Sequence, residues 1–192
     1  MPGTRRAQRE ATEAALITEA RQRFATEGYT AVRLSDVVDA LGMTKGALYH
    51  HFTSKHDLFR AVVQQVQQEV ADRVQAAARP GAGPWEELIA GCEAFLASYS
   101  SPETRQIMLI DAPTVLGWRE WKEMDGACSE RLLTEVLTSL MENGTLVSRP
   151  VEPMAHLLSG AMNEAALWLA ETDSPTALKD TMGALQCMLG SL

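Results

Sequence analysis

Apolar residues recur every three or four positions along almost the whole sequence, which is the spacing of one face of an α-helix. Leu16, Ala20 and Phe24 set the pattern near the N-terminus, and the run from Phe59 to Val74 keeps it for several turns. No stretch alternates apolar and polar residues for long enough to predict a strand. The sequence therefore predicts an all-α protein.

Capping residues and breaks divide this pattern into separate helices. Short helices are expected to begin at Ser35 and at Thr44, with Gly42 supplying the tight turn between them. Ser54 should cap a long fourth helix. After a break at residues 79–84, with the sequence RPGAGP, we expect further helices at about 85–100, 103–111, 118–142, 153–171 and 175–190.

Charge is distributed unevenly along the 192 residues. The formal net charge is −8, yet residues 1–60 carry nine Arg and Lys against seven Asp and Glu. The remaining residues carry eight against eighteen. A basic end on an acidic body indicates that one end meets a polyanion.

Several classes of protein find no support in the sequence. Cys92, Cys128 and Cys187 are far apart and form no CxxC pair, so we expect three buried thiols, with a redox-sensing thiol as the alternative. No apolar run is long enough to span a membrane and no secretory signal follows the basic N-terminus, so a cytoplasmic protein is expected. Because no nucleophile motif, glycine-rich phosphate loop or metal-ligand spacing occurs, we expect neither an enzyme nor a cofactor.

The stretch TKGALYHHFTSKHDLF, residues 44–59, concentrates groups that could form a metal site, a catalytic site or a phosphate-binding surface. Adjacent histidines diverge by about 100° around a helix, and no carboxylate or cysteine completes a metal set. Leu48 and Phe52 are four residues apart and should face inward. Hydroxyl, ammonium, phenol and imidazole groups suit phosphate oxygens, so we favour a DNA-binding surface over a capped helix pair without a ligand. The outward residues would be Thr44, Lys45, Gly46, Tyr49 and His50, with His51 near the helix end.

From Ala15 to Phe59 the sequence resembles the DNA-binding domain of the TetR family of transcriptional regulators. Its segment GMTKGALYHHFTSKHDL is similar to the family pattern G-[VM]-[ST]-x-[GP]-x-[LI]-Y-x-[HY]-F-x-[SN]-K-x-x-L at every fixed position. One departure is Val37-Val38, where the family commonly has Ile-Ala. The resemblance implies DNA contacts at Arg33, Ser35, Thr44, Lys45, Gly46, Tyr49, His51 and Lys55, and a basic arm at Arg5, Arg6 and Arg9.

The resemblance also implies how the chain is organised. A three-helix DNA-binding domain at residues 1–55 would be joined by a long helix to a ligand-binding and dimerisation domain at residues 56–192. The last two helices would pair with their copies in a homodimer that reads a palindromic operator in double-stranded DNA. The alternative is that the apolar faces of these two helices are simply internal core.

An effector site is expected around residues 103–125, where Trp118 and Trp121 share a helical face. Asp111 would be its polar anchor, although it could equally be a helix cap at the Pro113 break. Trp and Met at helical spacing could also be ordinary core. Acidic and aromatic groups favour a cationic or neutral lipophilic ligand. The expected lining is Phe95, Met108, Asp111, Trp118, Trp121, Met124, Met162 and Asn163.

The sequence thus predicts a homodimeric bacterial transcription regulator, a repressor released from its operator by a small lipophilic effector. The effector would move the long helix, residues 54–78, like a lever and so change the separation of the two DNA-binding heads. The alternative is a dimeric DNA-binding protein that is controlled by a protein partner and binds no small molecule.

Overall fold

The computed structural model describes residues 2–77 and 81–190, and every regular element within them is a helix. The prediction of an all-α protein is confirmed. None of the described helices combines the length and apolar character that a membrane span needs. The elements are α1 Pro2–Ala31, α2 Leu34–Ala40, α3 Lys45–Tyr49, α4 Lys55–Ala77, α5 Pro84–Ser98, α6 Pro102–Arg105, a π-helix Gln106–Asp111, α7 Ala112–Val115, α8 Trp118–Ala127, α9 Ser129–Glu142, α10 Val151–Glu171 and α11 Ala177–Gly190.

These helices form two compact units, each assembled from two separate parts of the chain. The head unit contains the residues up to Val66 together with Gln106–Trp121. The body unit contains Gln67–Arg105 together with the residues from Lys122 onward. The predicted domains, 1–55 and 56–192, are continuous segments, whereas the units are not.

The turn between α2 and α3 is a Schellman motif built on Gly42. Gly42 has φ +63, the left-handed conformation that glycine adopts without strain. The Met43 N–H donates to the Val38 carbonyl at 2.8 Å, and the Gly42 N–H donates to the Asp39 carbonyl at 3.1 Å. Thr44 then caps α3 as predicted, because its Oγ1 accepts the Ala47 N–H at 3.2 Å.

Of the N-caps predicted for α2 and α4, only the one for α4 matches the structure. Arg33, not Ser35, has the N-cap conformation of α2, so the predicted cap is wrong. Because Leu34 is already helical, Ser35 lies inside the first turn, where its hydroxyl donates to Asp36 Oδ1 at 3.1 Å. Ser54 does cap α4, accepting the Asp57 N–H at 3.1 Å.

An aromatic cluster holds α1 against α4 in the head unit. Phe24 and Phe59 meet edge to face with ring centroids 5.0 Å apart, and both are fully buried. Tyr29 completes the cluster at 4.9 Å from Phe59. Burying several aromatic rings in one place supplies a large share of the apolar contact in a unit of this size. Val37 and Val38, the departure from the family pattern, are both buried within the same unit.

Several predicted helices of the C-terminal half are interrupted. The helix expected at 118–142 is two helices, α8 and α9, because Cys128 has a non-helical backbone with φ −115 and ψ −91. The helix expected at 103–111 changes to a π-helix at Gln106. Pro113 follows directly, and in a regular α-helix its ring would clash with the carbonyl four residues earlier. The wider π-helical turn lies where that clash would occur.

The predicted break at 79–84 begins with Arg79 and Pro80, which lie outside the described residues. Helix α5 starts at Pro84, where a proline fits the first turn.

The three cysteines do not share one environment. Cys92 is buried, Cys128 is half-buried and Cys187 is exposed on α11, so the prediction of three buried thiols holds only for Cys92.

Candidate functional site

The outer face of α3 carries the exposed side chains that the sequence predicted for DNA binding. Leu48 is fully buried on the inner face, which fixes how this five-residue helix is rotated. The structure therefore brings five predicted contact residues together on one accessible surface. These are Thr44, Lys45, Gly46, Tyr49 and His50.

Nothing in the described part of the chain requires glycine at position 46. A Cβ atom built on Gly46 would meet only Thr44 Oγ1, at 3.8 Å, which is ordinary van der Waals contact. The residue also has an ordinary helical backbone, so glycine is not needed for its φ. A glycine on an exposed helix lowers helix stability and is useful where another molecule must approach the backbone closely.

His51 and Lys55 are engaged inside the head unit. The His51 side chain is only 10% exposed, and its Nδ1 lies 3.7 Å from Glu13 Oε2 on α1. The Lys55 ammonium lies 4.4 Å from the centroid of the Tyr29 ring and donates to the Thr30 carbonyl at 3.3 Å. Their predicted phosphate contacts stay predictions. In the described part of the chain, no group of three His, Cys, Asp or Glu side chains is placed to hold a metal ion.

The remaining predicted DNA contacts lie on α1 and at the start of α2. Arg33 is exposed and Ser35 is half-buried. Arg5 and Arg6 are exposed, and Arg6 Nε pairs with Glu10 Oε1 at 2.8 Å, one helical turn away. Both arginines belong to helix α1 rather than to an extended arm.

Four of the eight residues predicted for the effector site belong to the head unit. Asp111 Oδ2 accepts a hydrogen bond from the Tyr29 N–H at 2.9 Å. Trp118 and Trp121 are adjacent, with ring centroids 5.0 Å apart, but Trp118 is largely exposed and Trp121 is buried. Met108 is fully buried in the same unit.

The body unit contains a cavity of about 330 Å³, which is lined by residues from α4, α5, α8, α9 and α10. Two of the predicted effector residues line it, Phe95 and Met162. Met124 and Asn163 belong to the body unit without lining the cavity, and Asn163 Oδ1 is buried with no hydrogen-bond partner among the described residues. The apolar walls include Leu88, Phe95, Leu132, Leu133, Val136 and Met162, and the polar lining includes Glu87, Asp125, Ser129, Glu130, Glu135, Ser139 and Ser159.

One end of this cavity is a buried polar network centred on Lys122. The Lys122 ammonium donates to Ser159 Oγ at 2.9 Å, to Asp125 Oδ2 at 3.3 Å and to Glu130 Oε2 at 3.4 Å. His156 Nδ1 pairs with the other oxygen of Glu130. Burial raises the pKa of Asp125, and the Lys122 charge and hydrogen bond, which lower that pKa, offset part of the effect. Four carboxylates line the cavity, and within residues 2–77 and 81–190 no Lys, Arg or His is among its lining residues.

Asp125 could have been identified from the sequence. It lies four residues after Trp121 on α8, so the two residues share a helical face and both are buried. The spacing of four residues to a tryptophan is the local signal that the sequence offers for this carboxylate. Glu130 and Ser159 gave no such signal, because only the fold brings their helices to Lys122.

Asp125→Asn should change how stability depends on pH. Because burial raises the pKa of Asp125 above its ordinary value near 3.8, the folded protein holds this proton more tightly than the unfolded chain. The free energy of unfolding of the wild type should therefore fall relative to that of Asp125→Asn as pH rises from about 4 to about 7. Urea unfolding of both proteins across this range measures the difference.

The control is Glu135→Gln, which removes an exposed carboxylate paired with Arg131 and should give a nearly constant difference across the same range. A wild-type protein that gains stability relative to Asp125→Asn with rising pH would contradict the assignment.

Comparison with known proteins agrees with the architecture. Residues 16–62 match the family model described as bacterial regulatory proteins, tetR family. Residues 85–192 match the model described as tetracyclin repressor-like, C-terminal domain. These two segments contain α3 and most of the cavity lining, respectively.

Similar proteins extend the match over nearly the whole chain. The crystal structure of a TetR-family transcriptional regulator from Pectobacterium atrosepticum is 34% identical, covers 97% of this chain and 96% of its own, and superposes with a TM-score of 0.77. The Transposon Tn10 TetC protein of Escherichia coli is 24% identical over 78% of this chain and 75% of its own length.

A second similar structure was solved with a bound ligand. RolR in complex with resorcinol is 16% identical, covers 96% of this chain and 90% of its own, and has a TM-score of 0.75, which shows a shared fold. The two family models and the 34% identical structure together show that the chain belongs to the TetR family of transcriptional regulators, which bind DNA through a helix-turn-helix.

Proposed function

We propose that this protein is a cytoplasmic, homodimeric bacterial repressor that leaves a palindromic operator when a small lipophilic effector binds the cavity of the body unit. The observation that carries the proposal is the exposed face of α3, where a threonine, a lysine, a glycine, a tyrosine and a histidine lie together on one accessible surface. The description of the matching C-terminal family as tetracyclin repressor-like supports the repressor assignment.

DNA would be held chiefly through phosphates. Thr44, Lys45 and Tyr49 offer hydroxyl and ammonium donors, which suit phosphate oxygens and fix the register of the helix on the duplex. Gly46 would let the α3 backbone approach the groove. With the rest of the chain strongly acidic, non-specific binding is suppressed, and affinity should fall steeply with salt.

A second copy would pack on α10 and α11. Leu157 is 77% exposed, and Trp168 and Met188 are also exposed on these two helices. Ala161, between Leu157 and Trp168 at helical spacing, is exposed too, which leaves room for a close helix contact. An exposed apolar face of this kind suits a two-fold symmetric interface, and a dimer reads two half-sites of a palindrome.

The cavity favours a neutral or cationic effector. Its apolar walls suit a small lipophilic molecule, and its size fits the lower end of the usual range for ligand sites. Four carboxylates line it, and Lys122 and Arg131, which pair with three of them without lining the cavity, offset only part of this negative charge, so an anion is disfavoured. The resorcinol complex of the similarly folded RolR is a precedent for a small neutral ligand in this fold.

Helix α4 would transmit the effect of effector binding to the head unit. Val74 and Gln75 at one end of α4 line the cavity, whereas Lys55 at the other end belongs to the head unit. An effector that prefers one position of this helix would shift the equilibrium between operator-binding and operator-free states.

Random-sequence duplex selection by the purified protein should enrich a palindrome. Lys45→Ala should weaken binding several-fold and flatten the dependence of log Kd on log salt by about one unit, because one phosphate contact is lost. Gly46→Ala should weaken binding while leaving the free energy of unfolding unchanged or higher by up to about 1 kcal/mol. Fluorescence anisotropy with the enriched duplex and urea unfolding measure these two effects.

The matched control is Lys179→Ala, an exposed lysine on α11, which should leave both the affinity and the salt slope unchanged. Enrichment of no sequence, or full affinity in Gly46→Ala, would contradict the proposed use of α3.

Leu157→Lys should convert a dimer to a monomer, because a charge would be placed in the centre of the apolar face of α10. Sedimentation velocity measures the mass directly. Val147→Lys is the matched control, since Val147 is 57% exposed but precedes α10. A wild-type protein that sediments as a monomer, or a dimer that tolerates Leu157→Lys, would contradict the proposed interface.

Three naphthalene probes test the effector class: 2-naphthol, 2-(aminomethyl)naphthalene and 2-naphthoic acid. The neutral or cationic probe should release the fluorescent operator at concentrations where the acid does not, because the cavity carboxylates repel an anion. Leu133→Trp, which fills the cavity, should retain operator affinity and lose the response. Release by the acid at equal concentration, or an unaltered response in Leu133→Trp, would contradict the proposal.

A further inference from the structure

Helix α1 is broken three residues before its end, and the break is completed by a residue from far along the chain. Gly28 has φ +76 and ψ 158, so the helix is interrupted there and a short final turn follows. Such a break leaves the next backbone N–H without its acceptor one turn back. Asp111 Oδ2 accepts that N–H, from Tyr29, at 2.9 Å across 82 positions of sequence.

The approach of Asp111 to this turn is close. A Cβ atom built on Gly28 would lie 3.9 Å from Asp111 Oδ2 and 3.7 Å from Gln106 Nε2. The two ends of the π-helix therefore lie against the break in α1. A π-helix is a rare element that is often found at functional sites, and here it ends in the carboxylate that satisfies the broken turn.

The same turn positions Lys55, the first residue of α4. The Lys55 ammonium donates to the Thr30 carbonyl at 3.3 Å and lies over the Tyr29 ring at 4.4 Å. Burial lowers the pKa of Lys55, and the negative charge of Asp111 opposes that effect. Since α4 begins only six residues after α3 ends, the position of Lys55 constrains the orientation of α3.

We propose that Asp111 is a positioning residue of the DNA-binding surface. By accepting the Tyr29 N–H, it fixes the last turn of α1; that turn holds Lys55, and Lys55 fixes the junction between α3 and α4. This inference rests on the proposed operator binding by α3. Residues 106–121 contribute no side chain to the outer face of α3. Through Asp111 they would nevertheless control operator affinity.

Asp111→Ala in the full-length protein should raise the operator Kd about tenfold, because the loss of a hydrogen bond to a charged acceptor loosens the turn. The slope of log Kd against log salt should be unchanged, since the variant keeps every Lys and Arg side chain of the DNA-binding surface. Asp111→Asn should stay within about threefold of the wild type, because its amide oxygen can accept the same hydrogen bond. Amide exchange of Tyr29, measured without DNA, should accelerate in Asp111→Ala and not in Asp111→Asn.

Glu120→Ala is the matched control on the same segment. It removes an exposed ion pair with Arg60, and such pairs contribute little, so Kd and Tyr29 exchange should both stay at the wild-type values. If Asp111→Ala does not fold, Gly28→Ala strains the same turn from the other side and should give the same tenfold loss with an unchanged slope.

Operator affinity within twofold of the wild type in folded Asp111→Ala would overturn the inference, as would a salt slope altered by about one unit or unchanged Tyr29 exchange. An equal loss in Asp111→Asn would overturn the role of the hydrogen bond. A wild-type protein that binds no operator would instead contradict the proposed function, and the exchange measurement would still decide the role of Asp111.

Discussion

The burial of Leu48 is the contact on which the DNA-binding surface depends. Helix α3 has five residues, far fewer than a helix needs to be stable alone in water. It persists because Leu48 is packed in the head unit, Gly42 turns the chain into it and Thr44 caps its first turn. Once the inner face is fixed in this way, the helical repeat determines which side chains remain outside, and a surface for phosphate contacts results from the packing of a single leucine.

Local patterns made much of the head unit predictable. The cap at Thr44, the turn at Gly42 and the cap at Ser54 each depend on residues within a few positions of one another, and all three are confirmed. The predicted cap at Ser35 is wrong because Leu34 enters the helix first, which no local signal indicated. The predicted helix at 118–142 overlooks a backbone break at Cys128, two residues after Gly126, a residue type that often marks the end of a helix.

The effector site was much harder to predict from the sequence. The pattern pointed to a tryptophan-rich segment, whereas the cavity is lined by Phe95 and Met162 together with residues from three other helices. Its polar end exists only because Lys122 meets Glu130 and Ser159 from different elements. Burying such charges is costly unless each finds several partners, and the network supplies them. Periodicity along one helix can point to Asp125, but the partners that make the network are a property of the assembled body unit.

Because the head unit is built from two separate segments of the chain, recombination between related genes can divide it. A single crossover between two related genes, placed anywhere between α4 and the π-helix, would join the first 66 residues of one parent to residues 106–121 of the other. The Tyr29 amide and the carboxylate that accepts its hydrogen bond would then come from different lineages. The transferable module is thus a pair of segments, and recombinants that inherit both are the ones expected to keep an intact head.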